Sequence, residues 1–172
     1  MATGDVLKKY GASSSITVTN LHSLAASQTW VAGWESGAID NTSTGYDDFR
    51  IVCSLVTHAS NRQAGDFRIY LIGIMDDTTW PDVFDGTESV ETPTDTEEFE
   101  GYARLARVLT VDNTASATYQ ISIPSAKAVF GGNVPKKFIV YITGNVTTTT
   151  TAQLAASGSA VYVTGSYYNV SA

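Results

Sequence analysis

A single cysteine, Cys53, stands among the 172 residues, so no intramolecular disulfide can form and no cysteine-based zinc site can be assembled. Histidine is nearly as scarce. With only His22 and His58 present, few bases are available to activate a serine or cysteine nucleophile. Along an extended chain His58 falls roughly 16 Å from Cys53 and on the opposite face, so Cys53 reads as a structural strand residue. No apolar run reaches the ~20 residues of a membrane-crossing helix, and segment 1–15 lacks the apolar stretch of a secretory signal. The expectation is a soluble, unprocessed chain with no membrane partner. Nucleophile-elbow, Walker and dinucleotide-binding patterns are absent. The nearest glycine cluster, Gly131-Gly132 followed by Asn133-Val134-Pro135-Lys136-Lys137, lacks their spacing and reads as a turn entering a strand. These absences point away from an enzyme and from any cofactor.

Charge is sparse and unevenly placed. Charged residues make up 16% of the chain, against about 25% in an average globular domain. The net charge of −7 argues against direct nucleic-acid binding, which needs clustered Lys and Arg. Segment 76–100 holds 10 of the 17 acidic residues and no Lys or Arg. It is expected to form an exposed acidic insertion loop. A glycosidase pair would have to be held rigidly across a cleft, which such a loop does not provide. Together with Asp40, Asp47 and Asp48, these carboxylates are candidate ligands for a hard cation such as calcium, although EF-hand spacing is missing.

The remaining sequence is dominated by short alternating runs rich in Val, Ile, Thr, Tyr and Phe, the signature of half-buried strands. Eight strands are predicted, at 14–19, 28–35, 49–56, 67–75, 102–111, 118–123, 137–144 and 159–168. Turn residues separate them, among them Asp40-Asn41, Asp85-Gly86, Asp112-Asn113, Gly131-Gly132 and the threonine tract 147–151. The fold class expected is all-β: one domain, an eight-stranded antiparallel β-sandwich, with a jelly roll favoured over an immunoglobulin-like arrangement. The domain spans 16–172, and 1–15, with Lys8, Lys9 and Tyr10, reads as an N-terminal arm, mobile or ordered by a neighbour. Stretch 57–65 is expected to be a hairpin loop joining its two flanking strands. Short helical turns are expected at 80–84 and at 125–130, the second with Ser125 as N-cap and Gly131 as terminator. Trp30 and Trp34, four apart, would share a strand face, either in the core or on a sugar-stacking platform. Tyr167 and Tyr168 project to opposite sides, so one of them should be exposed.

Three blocks resemble a family of small structural proteins of tailed bacteriophages. They are Trp30-Val31-Ala32-Gly33-Trp34-Glu35-Ser36-Gly37-Ala38-Ile39-Asp40-Asn41-Thr42, then Asp76-Asp77-Thr78-Thr79-Trp80-Pro81-Asp82-Val83-Phe84-Asp85-Gly86-Thr87, and Ala128-Val129-Phe130-Gly131-Gly132-Asn133-Val134-Pro135-Lys136-Lys137 with the β-rich run to Gly144-Asn145. The resemblance implies a jelly-roll capsid cement or decoration protein, often trimeric, made in the host bacterial cytoplasm and carried on the exterior of the virion. Its partner would be the major capsid protein. The alternatives are a carbohydrate- or receptor-binding jelly roll of a tail and a head-completion component. Candidate capsid or subunit contacts are Lys8, Lys9, Tyr10, Trp80, Phe84, Lys136 and Lys137.

Overall fold

The computed structural model describes residues 5–27, 29–146 and 152–170; the threonine tract expected to turn and the first four residues of the arm lie outside them. Among these residues eleven strands, not the eight expected, form two antiparallel sheets. The first sheet runs β1 (Val6–Tyr10), β11 (Ala160–Val170), β5 (Asp48–Val56), β9 (Thr118–Ile123), with β2 (Ser14–Ile16) also on β11. The second runs β7 (Ser89–Glu91), β3 (Gly33–Glu35), β10 (Lys137–Val146), β6 (Gly65–Gly73), β8 (Ala103–Val111), with β4 (Ile39–Asp40) on β10. This is an all-β sandwich. Among the described residues no helix is long and apolar enough to cross a membrane.

Period-two alternation builds the core. Ile51, Cys53 and Leu55 of β5 are fully buried, and they meet Phe67, Ile69 and Leu71 of β6 and Phe138, Val140 and Ile142 of β10. Val161 and Val163 of β11 close the same cluster. Burial of these branched and aromatic side chains, each worth about 2 kcal/mol, supplies the main folding drive.

Stretch 57–65 is not a hairpin loop, because β5 and β6 lie in different sheets. Nine residues are enough to step across a sandwich about 10 Å thick. Bridging of Thr57 to Leu154, and donation from His58 N–H to Gln153 O, turn the chain away from β5. The segment read as an arm is likewise ordered by its own domain: β1 pairs with β11 from Val6↔Val170 to Tyr10↔Ser166, and β2 continues along the same strand. Of the described residues in stretch 28–35, 33–35 alone are strand, and Trp30 sits outside it with φ +62°.

The acidic segment is a folded layer. Phe84, Phe99, Trp80 and Tyr102 pack on Tyr70, Ile72, Ile139 and Tyr141, which line the outer face of the second sheet. Helix α1 (Thr96–Tyr102) sits here, with Asp95 as N-cap accepting from Glu97 N–H and Glu98 N–H. Phe99 is the buried anchor, edge-on to Tyr70 and Tyr141 at ring-centroid distances of 5.0 and 5.6 Å. Several acids hold the backbone here. Asp82 accepts from Thr94 N–H, Thr94 Oγ1 and Tyr102 OH, Asp76 from Thr78 and Thr79 N–H, and Asp85 from Thr87 N–H. Their side chains replace missing backbone partners in tight turns. The turn expected at 80–84 closes through Phe84 N–H to Pro81 O without becoming a helix. At 125–130 a helix does form, α2 (Ala126–Val129), capped by Ser125 and followed by Gly131 at φ +76°.

Candidate interaction surface

The groups that chemistry would need are engaged in structure. Cys53 is fully buried, and burial pushes its thiol up to about 12. His58 Nδ1 accepts from Ser60 and Asn61 N–H in a turn, while His22 Nε2 meets Ser159 O. No group of three or more His, Cys, Asp or Glu able to hold a metal occurs among the described residues. Asp47 is paired with Lys127, Asp48 accepts from Lys127 N–H, and Asp40 accepts from Thr42 N–H and Oγ1. Hydrogen bonding to Thr42, with Lys137 nearby, holds the Asp40 carboxyl below its ordinary value.

Glu35 is the most unusual titratable group. Its side chain is fully buried between β3 and the folded acidic layer. Oε1 accepts from Gly86 N–H at 2.7 Å and Asp85 N–H at 3.2 Å, whereas Oε2 has no hydrogen-bond partner. Burial raises its pKa to about 7 against the pull of these two N–H groups, and the charges of Asp85 and Glu91 add to the rise. No described cleft reaches it. A cleft of about 620 Å³ is lined by Ser14, Ile16, Asp40, Tyr46 and Glu88 among others. Glu88 is occupied there by Asn20 and by Trp34 Nε1.

The tryptophans form no shared platform. Trp34 is buried in the core, Trp80 packs in the outer layer, and the Arg68 guanidinium lies 3.9 Å from the centroid of Trp30. The remaining sequence candidates separate into three places. Phe84 is sealed inside at 4% exposure and offers no contact surface, and Trp80 is half-buried beside the same cluster. Lys136 and Lys137 flank a second cleft, paired with Asp77 and Asp40 of this chain. Lys8, Lys9 and Tyr10 share the exposed edge strand β1.

Around β1 the structure assembles a surface that the sequence only partly announces. Antiparallel register places Val6 beside Val170, Lys8 beside Tyr168 and Tyr10 beside Ser166, and each pair shares a sheet face. That face is the one opposite to Val161 and Val163, and so turns away from the core. Val6, Tyr10, Tyr168 and Val170 are 65%, 67%, 57% and 60% exposed, four of the nine large apolar side chains exposed among the described residues. Their clustering on two paired strands makes a continuous patch, which isolated exposed residues would not. Tyr168 is the tyrosine expected outside, whereas Tyr167 turns toward Tyr46. Val6 and Val170 were missed because each gains its place only from the pairing of chain segments distant in sequence. No protein-family model matches this sequence, and no curated protein sequence is similar to it.

Proposed function

We propose that this protein is a non-enzymatic structural component of a tailed-phage virion, a cement or decoration protein that binds adjacent major capsid subunits on the capsid exterior. The observation that carries the reading is the exposed apolar and basic patch of β1 and β11, set on a body most of whose other aromatic groups pack in two clusters. Resemblance in three sequence blocks supplies the phage context. The sandwich is read as a jelly roll. In support, four of its strand pairings are nested in chain order, β2·β11, β3·β10, β5·β9 and β6·β8, the pattern of one long hairpin folded over on itself.

Adhesion of this kind works by addition of modest contacts. When several linked copies sit on a repeating lattice, each later engagement happens at high effective concentration, so weak individual docking gives firm attachment. The resemblance implies a trimer, for which light scattering would report three times the chain mass. The deciding experiment mixes purified protein with undecorated capsids and follows co-sedimentation and particle integrity on heating or in low salt. Binding with raised resistance is expected. Absence of both overturns the proposal.

A further inference from the structure

We propose that the open edge of β1 is a docking site for an extended acidic segment of a partner protein, which adds to the first sheet as one more antiparallel or parallel strand. This inference rests on the reading of the protein as an adhesive module and names the chemistry of what it grips.

Four observations support it. First, among the described residues β1 is the terminal strand of its sheet, with β11 on one side only. Donation from Gly11 N–H to Gly165 O sets the phase of the β1·β11 ladder. Antiparallel pairing uses alternate residues, so Leu7 and Lys9 bond to β11 while Val6, Lys8 and Tyr10 direct N–H and C=O groups to the free edge. Unpaired groups of this sort are a template for a further strand. Second, the side chains of those same three residues lie on the outward face in line with Tyr168 and Val170, so an added strand would find apolar contacts as well as backbone partners. Third, the edge is basic in an acidic protein. Lys8 and Lys9 are both exposed, and among the described residues neither belongs to an ion pair. The chain's other three lysines, Lys127, Lys136 and Lys137, are each paired with an aspartate of the same chain, which leaves Lys8 and Lys9 available to a foreign carboxylate.

Fourth, a second copy of this chain is disfavoured in the register centred on the strand. Pairing β1 with β1 about a two-fold axis at Lys8 sets Lys8 against Lys8, and like charges placed directly opposite are destabilising. The chain's own carboxylates are concentrated in turns, in α1 and around the three-residue β7, too short to run along five residues of β1. The observations therefore favour a separate acidic polypeptide.

The test uses the full chain labelled for amide NMR and two probe peptides, one with glutamate alternating with valine and threonine, the other with lysine in place of every glutamate. The acidic peptide is expected to shift the amides of Val6, Lys8 and Tyr10 most strongly, and to weaken as salt rises. Reversal of both charges, Lys8→Glu with Lys9→Glu, should reduce its affinity at least tenfold. Lys8→Pro and Lys8→Gln lose the same charge, but only proline removes the outward N–H, and an edge strand tolerates it there. Weaker binding by Lys8→Pro than by Lys8→Gln is expected. Protection of the Leu7 and Lys9 amides from exchange verifies that β1 stays docked; should proline detach it, the double charge reversal decides alone.

Equal binding of the lysine peptide, shifts confined to other elements, or no binding at all would overturn the proposal. So would concentration-dependent self-association through the same amides without peptide, since a second copy would then own the edge. Capsid binding that survives Lys8→Glu with Lys9→Glu refutes the docking site and leaves the virion reading standing. Peptide binding at β1 by a protein that ignores capsids does the reverse.

Discussion

Replacement of Glu35 by glutamine should remove most of the pH dependence of stability between pH 5 and pH 8. The fully buried carboxyl has a folded-state pKa of about 7 against an ordinary value of 4.5, because burial penalises its charged form. Between these values the folded protein holds a proton that the unfolded chain has released, so stability falls as pH rises. The contribution is fully present below about pH 4.5 and lost once pH has passed the folded value. The whole shift corresponds to about 3 kcal/mol, of which about 2.5 kcal/mol lies between pH 5 and pH 8. Asp40, Asp76, Asp82 and Asp112 work in the other direction, since hydrogen bonding holds their carboxyls below the ordinary value, but their stabilisation is lost only as pH falls through the acid range under pH 4. Glu35 therefore dominates the neutral window.

Urea titrations followed by tryptophan fluorescence at intervals from pH 5 to pH 8 measure this directly. Wild type should lose about 2.5 kcal/mol across the window, a drop of several degrees in Tm for a chain of this size. In Glu35→Gln the amide oxygen can still accept from Asp85 and Gly86 N–H, yet nothing titrates, so its profile should be flat. The offset between the two proteins at pH 5 matters less than their slopes, because the glutamine NH₂ adds buried donors of its own. Parallel profiles would show that Glu35 is not desolvated as its surroundings require, and the reasoning from burial would fail.

Cys53 should resist a thiol reagent such as DTNB in the native state and react only as fast as the whole domain opens, because its thiol is inside the core with a pKa pushed up to about 12; rapid stoichiometric labelling would contradict this. Gly165→Ala would put a Cβ into the ring of Tyr46, which packs on the inner face of β11 at the margin of the core, and should cost about 2 kcal/mol by chemical denaturation. Phe99→Ala removes the aromatic anchor of α1 and should lower stability by about 3 kcal/mol. Limited proteolysis of that variant should cut first within 76–102, ahead of the two sheets.

Much of the sandwich is legible from alternation alone. The β9 bounds match the run 118–123, and β5, β8 and β10 each fall within two residues of the expected ends; in β5, β9 and β10 the inward face is written mostly in branched or aromatic residues, whereas β8 buries Ala103, Ala106 and Val111. α2 is readable from Ser125 and Gly131, where cap and terminator are local chemistry. Elements that depend on a distant partner are not. β1, β4 and β7 are short edge strands that owe their conformation to β11, β10 and β3. The folded acidic layer was hidden for a different reason: a high density of carboxylates reads as solvation, whereas here Asp76, Asp82, Asp85 and Asp95 accept backbone N–H groups that the turns leave open. A signal was nevertheless present. Ile69-Tyr70-Leu71-Ile72 and Phe138-Ile139-Val140-Tyr141-Ile142 are unbroken apolar runs, and strands with one wet face alternate instead. Both runs belong to strands buried on two faces.

The outer layer and the bare edge are complementary parts of one arrangement. Without residues 76–102, Tyr70, Ile72, Ile139 and Tyr141 would leave the second sheet with an apolar outer face, and the sandwich would have two adhesive sides. A body adhesive on opposite sides joins head to tail without closure and grows into fibres. The folded segment removes that possibility by burying those four side chains beneath Phe84 and Phe99 and turning outward Glu97, Glu98 and Glu100, all exposed. The β1–β11 patch on the first sheet stays open, with Lys8 and Lys9 along its edge, and so do Leu105 and Val108 on the terminal strand β8 of the second. If the protein coats a surface as proposed, the ten carboxylates of 76–100 keep the outer face of the second sheet from becoming another adhesive side and leave docking to exposed strand edges such as β1.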